Sequence, residues 1–243
     1  MSTSGRLYGV GVGPGDPELM TLKAARILAR APVAAHFRKR GRPGHARGIA
    51  DGLLAPGVKE LALDYPLTTE IAFESDAYRV AMTAFYDAAA EAMAAHLVAG
   101  RDVALLCEGD PFFYGSFMHI YHRLSARYQV EVVPGITGMS ACWTRAGTPI
   151  TYGDDVLMVL PGTLPFEALT ERMRVADALV VMKLGSNFDK VRRALAASGL
   201  ADRAVYVERG SMAGEVIQPL TDKTDNQAPY FAMILVPGRG RCL

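Results

Sequence analysis

Three short stretches carry residue types suited to holding a small ligand: "GVGVGPGDPE" at 9–18, "CEGDPFFYGS" at 107–116 and "VVPGITGMSA" at 132–141. The first has glycine at alternate positions from Gly9 to Gly15, followed by Asp16, Pro17 and Glu18. Glycine turns that open a helix commonly hold phosphate, because the backbone N–H groups there are unpaired and the helix end is positive. This turn does not fit that use. The dinucleotide fingerprint G-x-G-x-x-G fails from Gly9, where the sixth residue is Pro14, and from Gly11, where it is Asp16. No Gly-Lys-Ser/Thr follows for a P-loop. Asp16 and Glu18 would put two carboxylates where a phosphate needs positive charge, and Lys23 lies further along. A cationic or zwitterionic ligand suits the turn better, as does a neutral ring approached by backbone.

Charge is distributed unevenly. The 243 residues carry 26 Lys and Arg against 25 Asp and Glu, near balance and unlike a basic nucleic-acid binder. Residues 19–50 nevertheless hold Lys23, Arg26, Arg30, Arg38, Lys39, Arg40, Arg42 and Arg47 with no acid among them. The remainder is net acidic. A basic block on an acidic chain is either a solvated surface or a site for an acidic ligand. Cys107, Cys142 and Cys242 form no CxxC pair, which predicts free thiols, no disulfide framework and no zinc site. His45, His119 and His122 show no metal-ligand spacing. No apolar run is long enough for a membrane span, and "MSTSGRLYGV" lacks a signal-peptide core. These features predict a cytoplasmic protein.

The elements that must position the three turns follow from periodicity. "RLYGVGV" predicts a first strand and "DPELMTLKAARILARA" (16–31) a helix with Asp16 as N-cap and Pro17 in its first turn. "VAAHF" and "VKELALDY" predict strands, with "FRKRGRPGHARG" a basic loop between them. Over 75–100 Tyr78, Met82, Phe85, Tyr86, Ala89, Met93 and Leu97 form one helical stripe, read as core, with Ser75 as cap. "DVALLCEG" predicts a buried strand, and a helix, the strand "VEVVPG" and a further helix follow. "TPITYGDD" (148–155) breaks the pattern and predicts a division into domains 1–150 and 151–243. Beyond it strands and helices alternate again, and "EVIQPL" is expected to pair antiparallel with "YFAMILV". The fold class is therefore α/β, with a mostly parallel N-terminal sheet and a smaller mixed C-terminal one. Each glycine turn then sits at the carboxyl end of a strand, where open α/β sheets bind ligands.

"VGVGPGDPELMTLKAARIL", "EGDPFFYGS" and "VPGITGMSA", in that order, resemble the signatures of the tetrapyrrole methyltransferases, which use S-adenosylmethionine (SAM). The resemblance continues through "YPLTTE", "YGDDVLMVLPGTLP", "VVMKLG", "VYVERGSMAGE" and "APYFAMILVPG", covering essentially the whole chain. It implies two α/β domains with the cofactor cleft between them. It implies SAM contacts at Pro14, at Glu108, Gly109, Asp110 and Phe113, at Thr137 and Gly138, and at Met182 and Gly210. Without it, Met182 would read as sheet core and Gly210 as a plain turn. Within the family the longer matches point to methylation of precorrin-2 at C-20 in cobalamin biosynthesis. The eight carboxylate arms of that substrate give the basic block a purpose, with Arg38, Lys39, Arg42 and Arg47 expected on a loop over the strand ends. Where uroporphyrinogen methylases of the family carry an acid resembling "VVVYDR", this chain has Phe37 in "VAAHFRKR", against that reaction.

Methyl transfer from a sulfonium is an in-line displacement that needs positioning and exclusion of water, and neither a metal nor a nucleophilic side chain. No catalytic residue is assigned; His36, Glu108 and Asp110 are candidates to handle a proton, with strand-end packing the plainer reading for His36. Alternatives remain: cobalt-factor II as the substrate, a non-catalytic tetrapyrrole carrier without affinity for SAM or its product S-adenosylhomocysteine (SAH), and diphthine synthesis, which suits the basic block poorly. The resemblance also implies a homodimer.

Overall fold

The structure, a computed structural model, describes residues 4–67 and 75–240; Thr68–Glu70 of "YPLTTE" and Cys242 lie outside the described residues. Two units are present, Met1–Thr137 and Gly138–Leu243. No described helix is long and apolar enough to cross a membrane.

In the first unit the short apolar runs become β1 (Leu7–Gly11), β2 (Val33–Lys39), β3 (Lys59–Tyr65), β4 (Val103–Cys107) and β5 (Val130–Val133). They form one parallel sheet in the order β3-β2-β4-β1-β5. Parallel pairing puts all five carboxyl ends on one edge. Alternate residues serve opposite faces. Leu7, Val33, Ala35 and Leu105 meet α3 (Asp76–Val98) and α4 (Phe117–Leu124) on one face. Tyr8, Val10, Ala104 and Leu106 meet α1 (Leu22–Leu28) and α2 (His45–Ile49) on the other. Burial on both sides explains why β1 and β4 are apolar throughout. The stripe on α3 is core: Met82, Tyr86, Ala89, Met93 and Leu97 are buried, and Tyr78 and Phe85 pack at its margin. Ser75 caps the helix by accepting the N–H of Tyr78 at 3.2 Å.

Two local expectations are corrected. The helix predicted over 16–31 is divided. Asp16 caps only a single 3-10 turn, Pro17–Leu19, and α1 begins after Thr21, whose Oγ1 accepts the Ala24 N–H at 3.2 Å. Asp16 and Glu18 therefore do not sit at the end of a long helix. The basic stretch is not one loop either. Arg38 and Lys39 end β2, Arg47 lies on α2, and only Arg40 and Arg42 remain between.

The second unit holds α5 (Gly138–Arg145), β6 (Leu157–Pro161), α6 (Phe166–Val175), β7 (Ala178–Met182), α7 (Phe188–Ala197), β8 (Val205–Glu208), β9 (Val216–Pro219) and β10 (Ala232–Val236). Its sheet is mixed, in the order β6-β7-β10-β8-β9. β10 runs antiparallel to β7 and β8. The pairing expected between "EVIQPL" and "YFAMILV" does not occur: β9 pairs with β8, and β10 is inserted between β7 and β8. Val180, Val207 and Leu235 on one face pack with Cys142 of α5 and with Ile150. The division at 137/138 rather than 150 has this cause, since the apolar face of α5 is buried by the second sheet.

Candidate active site

The glycines of the three turns serve one another. Where β1 and β4 end, the Val12 N–H donates to the Cys107 carbonyl at 2.9 Å and the Gly109 N–H to the Gly13 carbonyl at 2.8 Å. A Cβ on Gly11 would lie 2.7 Å from the Gly109 carbonyl oxygen and 2.6 Å from the Gly135 nitrogen. A Cβ on Gly135 would lie 2.1 Å from the same Gly109 oxygen and 2.9 Å from the Gly11 Cα. Three strand ends thus meet backbone to backbone, with no room for side chains. Gly13, at φ +85°, also needs the left-handed region that glycine enters without cost.

Asp110 joins the second turn to the third. Its Oδ1 accepts the Phe112 N–H at 2.9 Å and its Oδ2 the Gly135 N–H at 3.1 Å. Both oxygens are used by backbone, which argues against a proton-handling role. The turn continues through half-buried Phe113, in edge contact with Tyr114, whose φ of 54° is unusual for a bulky residue. Glu108 differs from both neighbours: Cys107 and Gly109 are buried, and Glu108 is exposed. Among the described residues it forms no ion pair. The protein around it pushes its pKa up, to about 7, while the Ala46 N–H works in the opposite sense. Because the side chain is exposed, water tempers this shift, and its upward direction is what matters.

His36 is 3 % exposed, and its Nδ1 finds no hydrogen-bond partner among the described residues. Burial lowers its pKa, with Glu60 opposing, so the imidazole is a neutral part of the sheet. Of the three sequence candidates for proton handling, Glu108 alone presents an exposed carboxylate that is not tied to backbone on both oxygens.

Pro14, Glu108, Gly109, Asp110, Phe113 and Thr137 all lie at the carboxyl edge of the first sheet or in the turns that leave it. Gly138, Met182 and Gly210 belong to the second unit. There β6, β7 and β8 run in one direction, so Met182 at the end of β7 and Gly210 just past β8 share an edge. Gly210 is buried against α5, where a Cβ would come 2.7 Å from Cys142 Sγ. A Cβ on Gly138 would meet Met233 Cε at 3.1 Å. Sequence reasoning missed the strain on this edge: Lys183, Arg209 and Ser211 have φ of 57°, 48° and 65°. Left-handed non-glycine residues cost energy and tend to persist at functional sites. Their position beside Met182 and Gly210, in "VVMKLG" and "VERGS", was the only signal available in the sequence.

The basic residues are not equivalent. Arg47 binds Glu60 through both Nε and Nη2, each at 2.8 Å, and Asp51 at 3.1 Å. Arg38 Nε binds Asp64 at 2.6 Å. Lys39 and Arg42 are exposed, and Arg42 makes no ion pair among the described residues. Cys107 and Cys142 are free and buried. Among the described residues no group of three His, Cys, Asp or Glu is arranged to hold a metal. The first turn has no Lys or Arg between residues 9 and 18, and Glu108 has no cationic partner among the described residues. This edge, rich in backbone and carboxylate, fits a positively charged donor and not a polyphosphate.

Residues 6–223 match the family model of the tetrapyrrole (corrin/porphyrin) methylases, and the chain belongs to that family. A precorrin-2 C(20)-methyltransferase from a Sinorhizobium species is 56% identical over 234 residues, 96% of each chain. A cobalt-precorrin-2 C(20)-methyltransferase from Salmonella typhimurium is 27% identical over 238 residues, also 96% of each. Among solved structures, a uroporphyrin-III C-methyltransferase from Thermus thermophilus complexed with S-adenosylhomocysteine superposes with a TM-score of 0.67 at 26% identity. That match covers 96% of this chain and 92% of the other.

Proposed function

We propose that this chain is a SAM-dependent C-methyltransferase that methylates precorrin-2 at C-20, giving precorrin-3A in cobalamin biosynthesis. The observation that carries the reading is the cation-free junction of three glycine turns, clamped by Asp110, in a chain so close to a precorrin-2 methylase. A metal-free macrocycle is favoured over the cobalt-loaded one, since the relative named for cobalt is 27% identical against 56%. SAM supplies an electrophilic methyl group. The chain's part is to fix the donor, keep water out and receive a proton. In the first unit Pro14, Glu108, Gly109, Asp110, Phe113 and Thr137 are proposed to hold SAM, Glu108 through its backbone and not its carboxylate. In the second, Gly138, Met182 and Gly210 are proposed contacts, the latter two toward adenosine. A homodimer in the cytoplasm completes the proposal, resting on the family resemblance. Calorimetric titration with SAH tests it: one SAH per chain, with no binding of ATP or NAD, is expected. Mass spectrometry should then show one added methyl on precorrin-2. Equal affinity for ATP, SAH binding without turnover of any tetrapyrrole, or no SAH binding at all would overturn it, the last outcome in favour of a carrier.

We further propose that the substrate's carboxylates are met by the basic stretch, and the ion pairs change which residue matters most. Arg47 and Arg38 are already committed to Glu60 and Asp64, which leaves Arg42 better placed to bind. Arg42→Ala is expected to raise the KM for the tetrapyrrole about three- to tenfold, as for a partly shielded contact of ~1 kcal/mol. Arg47→Ala should have a smaller effect, and neither should change SAH affinity. Added salt should raise KM more than it weakens SAH binding. If KM is the same in both variants as in the native enzyme, the block is a solvated surface.

A further inference from the structure

We infer that Glu108 is the group that takes the proton released from the methylated carbon. The inference rests on the function proposed above and adds the residue that completes the reaction. When C-20 gains the methyl carbon, the new bond uses an electron pair of the macrocycle, while the sulfur–methyl bond of SAM breaks with its pair left on sulfur, giving SAH. The C-20–H bond then breaks, its electron pair returns to the macrocycle, and the proton must go to a base. Substrate and product differ by CH2, and the base gains one proton, which it passes to water.

Geometry selects Glu108 from the available groups. Its backbone is held on both sides, because the carbonyl of Cys107 and the N–H of Gly109 are each bonded to the first turn. The carboxylate therefore projects from a fixed point where two of the glycine turns join. Its side chain is exposed, and no Lys or Arg of the described residues neutralises it. Asp110, two residues on, spends both oxygens on backbone N–H groups. His36, on the neighbouring strand, is buried and so has no open path to a substrate. The charged and titratable groups on the surrounding elements are Asp16 in the first turn, His36 and Arg38 on β2, His45 and Arg47 on α2, and Cys107 and Asp110 beside it. None of them is a cause of its shift, which comes from the protein packed around the carboxyl, tempered by water at its exposed side and opposed by the Ala46 N–H. A carboxyl group whose pKa is raised toward neutrality is matched to accepting a proton there and releasing it again.

Glu108→Gln keeps size and polarity and removes the base. It is expected to lower kcat about 100-fold or more, while SAH affinity by calorimetry and KM for precorrin-2 stay within about threefold. The acidic limb of the kcat profile, where activity falls as Glu108 protonates below about pH 7, should disappear. Glu108→Ala should be equally slow and be partly restored by added formate, a rescue that a structural role would not give. Independently of turnover, carbon-13 titration of carboxyl-labelled protein should show one glutamate with a raised midpoint that is missing from the Gln variant. Turnover by Glu108→Gln within threefold of native, loss of SAH binding in proportion to rate, or no missing resonance overturns the inference. If native enzyme binds SAH, shows the resonance and methylates no tetrapyrrole, the proposed function fails and the proton role fails with it.

Discussion

Gly135→Ala is expected to be among the most damaging single-methyl changes in the first unit. The added carbon would lie 2.1 Å from the Gly109 carbonyl oxygen, and both that oxygen and the Gly11 Cα at 2.9 Å are backbone atoms. Overpacked side chains can change rotamer and limit the cost to ~1–3 kcal/mol. Backbone at the junction of three strand ends has no such escape, so the cost should reach or exceed ~3 kcal/mol. For a chain of this size that is a fall in Tm of roughly 6–12 °C. Any folded protein that remains should bind SAH at least about tenfold more weakly, since the second and third turns must separate. Gly48→Ala is the control: it also adds one carbon, on α2, and meets nothing within 4 Å. That variant should be neutral or up to ~1 kcal/mol more stable. Thermal melts of the two, side by side, decide the matter. A Gly135→Ala protein that melts with the native one would mean that the turns do not pack as described.

The second large effect is expected at Asp110. Its carboxylate accepts two backbone N–H groups from two turns, and bonds of this charge-assisted kind contribute ~1.5–3 kcal/mol each when shielded. In Asp110→Ala the Gly135 N–H loses its partner and the third turn is released from the second. The sheet cores do not involve Asp110, so the fold should survive. Loss of one such bond's worth of positioning corresponds to SAH binding roughly 10–150-fold weaker. Asp110→Asn separates position from charge. Its amide oxygen can still accept from Phe112, but its NH2 would face the Gly135 N–H, donor against donor. An intermediate loss, about three- to tenfold, is expected. Unchanged SAH affinity in a folded Asp110→Ala protein would reduce Asp110 to a turn former.

Much of this architecture is legible in the chain because the signals are local. The apolar runs at β1 and β4, the stripe on α3 and the cap at Ser75 each depend on residues within a few positions of one another. The three glycine turns are likewise visible, and so is their lack of a phosphate cation. The helix over 16–31 was misread for a local reason: Asp16-Pro17 and Thr21 are both cap signals, and only one can begin the α-helix. Strand order is another matter. Which strand neighbours β10 depends on partners some 30 and 50 residues away, and every apolar strand of similar length offers an acceptable edge. The basic stretch shows the same limit. Composition gives eight cations, but their pairing with Glu60, Asp64 and Glu131 needs strands that are far apart in sequence.

By itself the sequence determined the α/β class and the turns that follow the strands, because glycine content and periodicity are properties of short segments. Only the tertiary structure decided what each residue in those turns does. It showed that Gly11, Gly109 and Gly135 are small for one another, that Asp110 is a clamp, that His36 is enclosed and that Glu108 is left exposed. Those distinctions arise from distances between segments about 25 to 125 residues apart, and a carboxylate's role depends on which N–H groups and charges lie within a few ångströms of it.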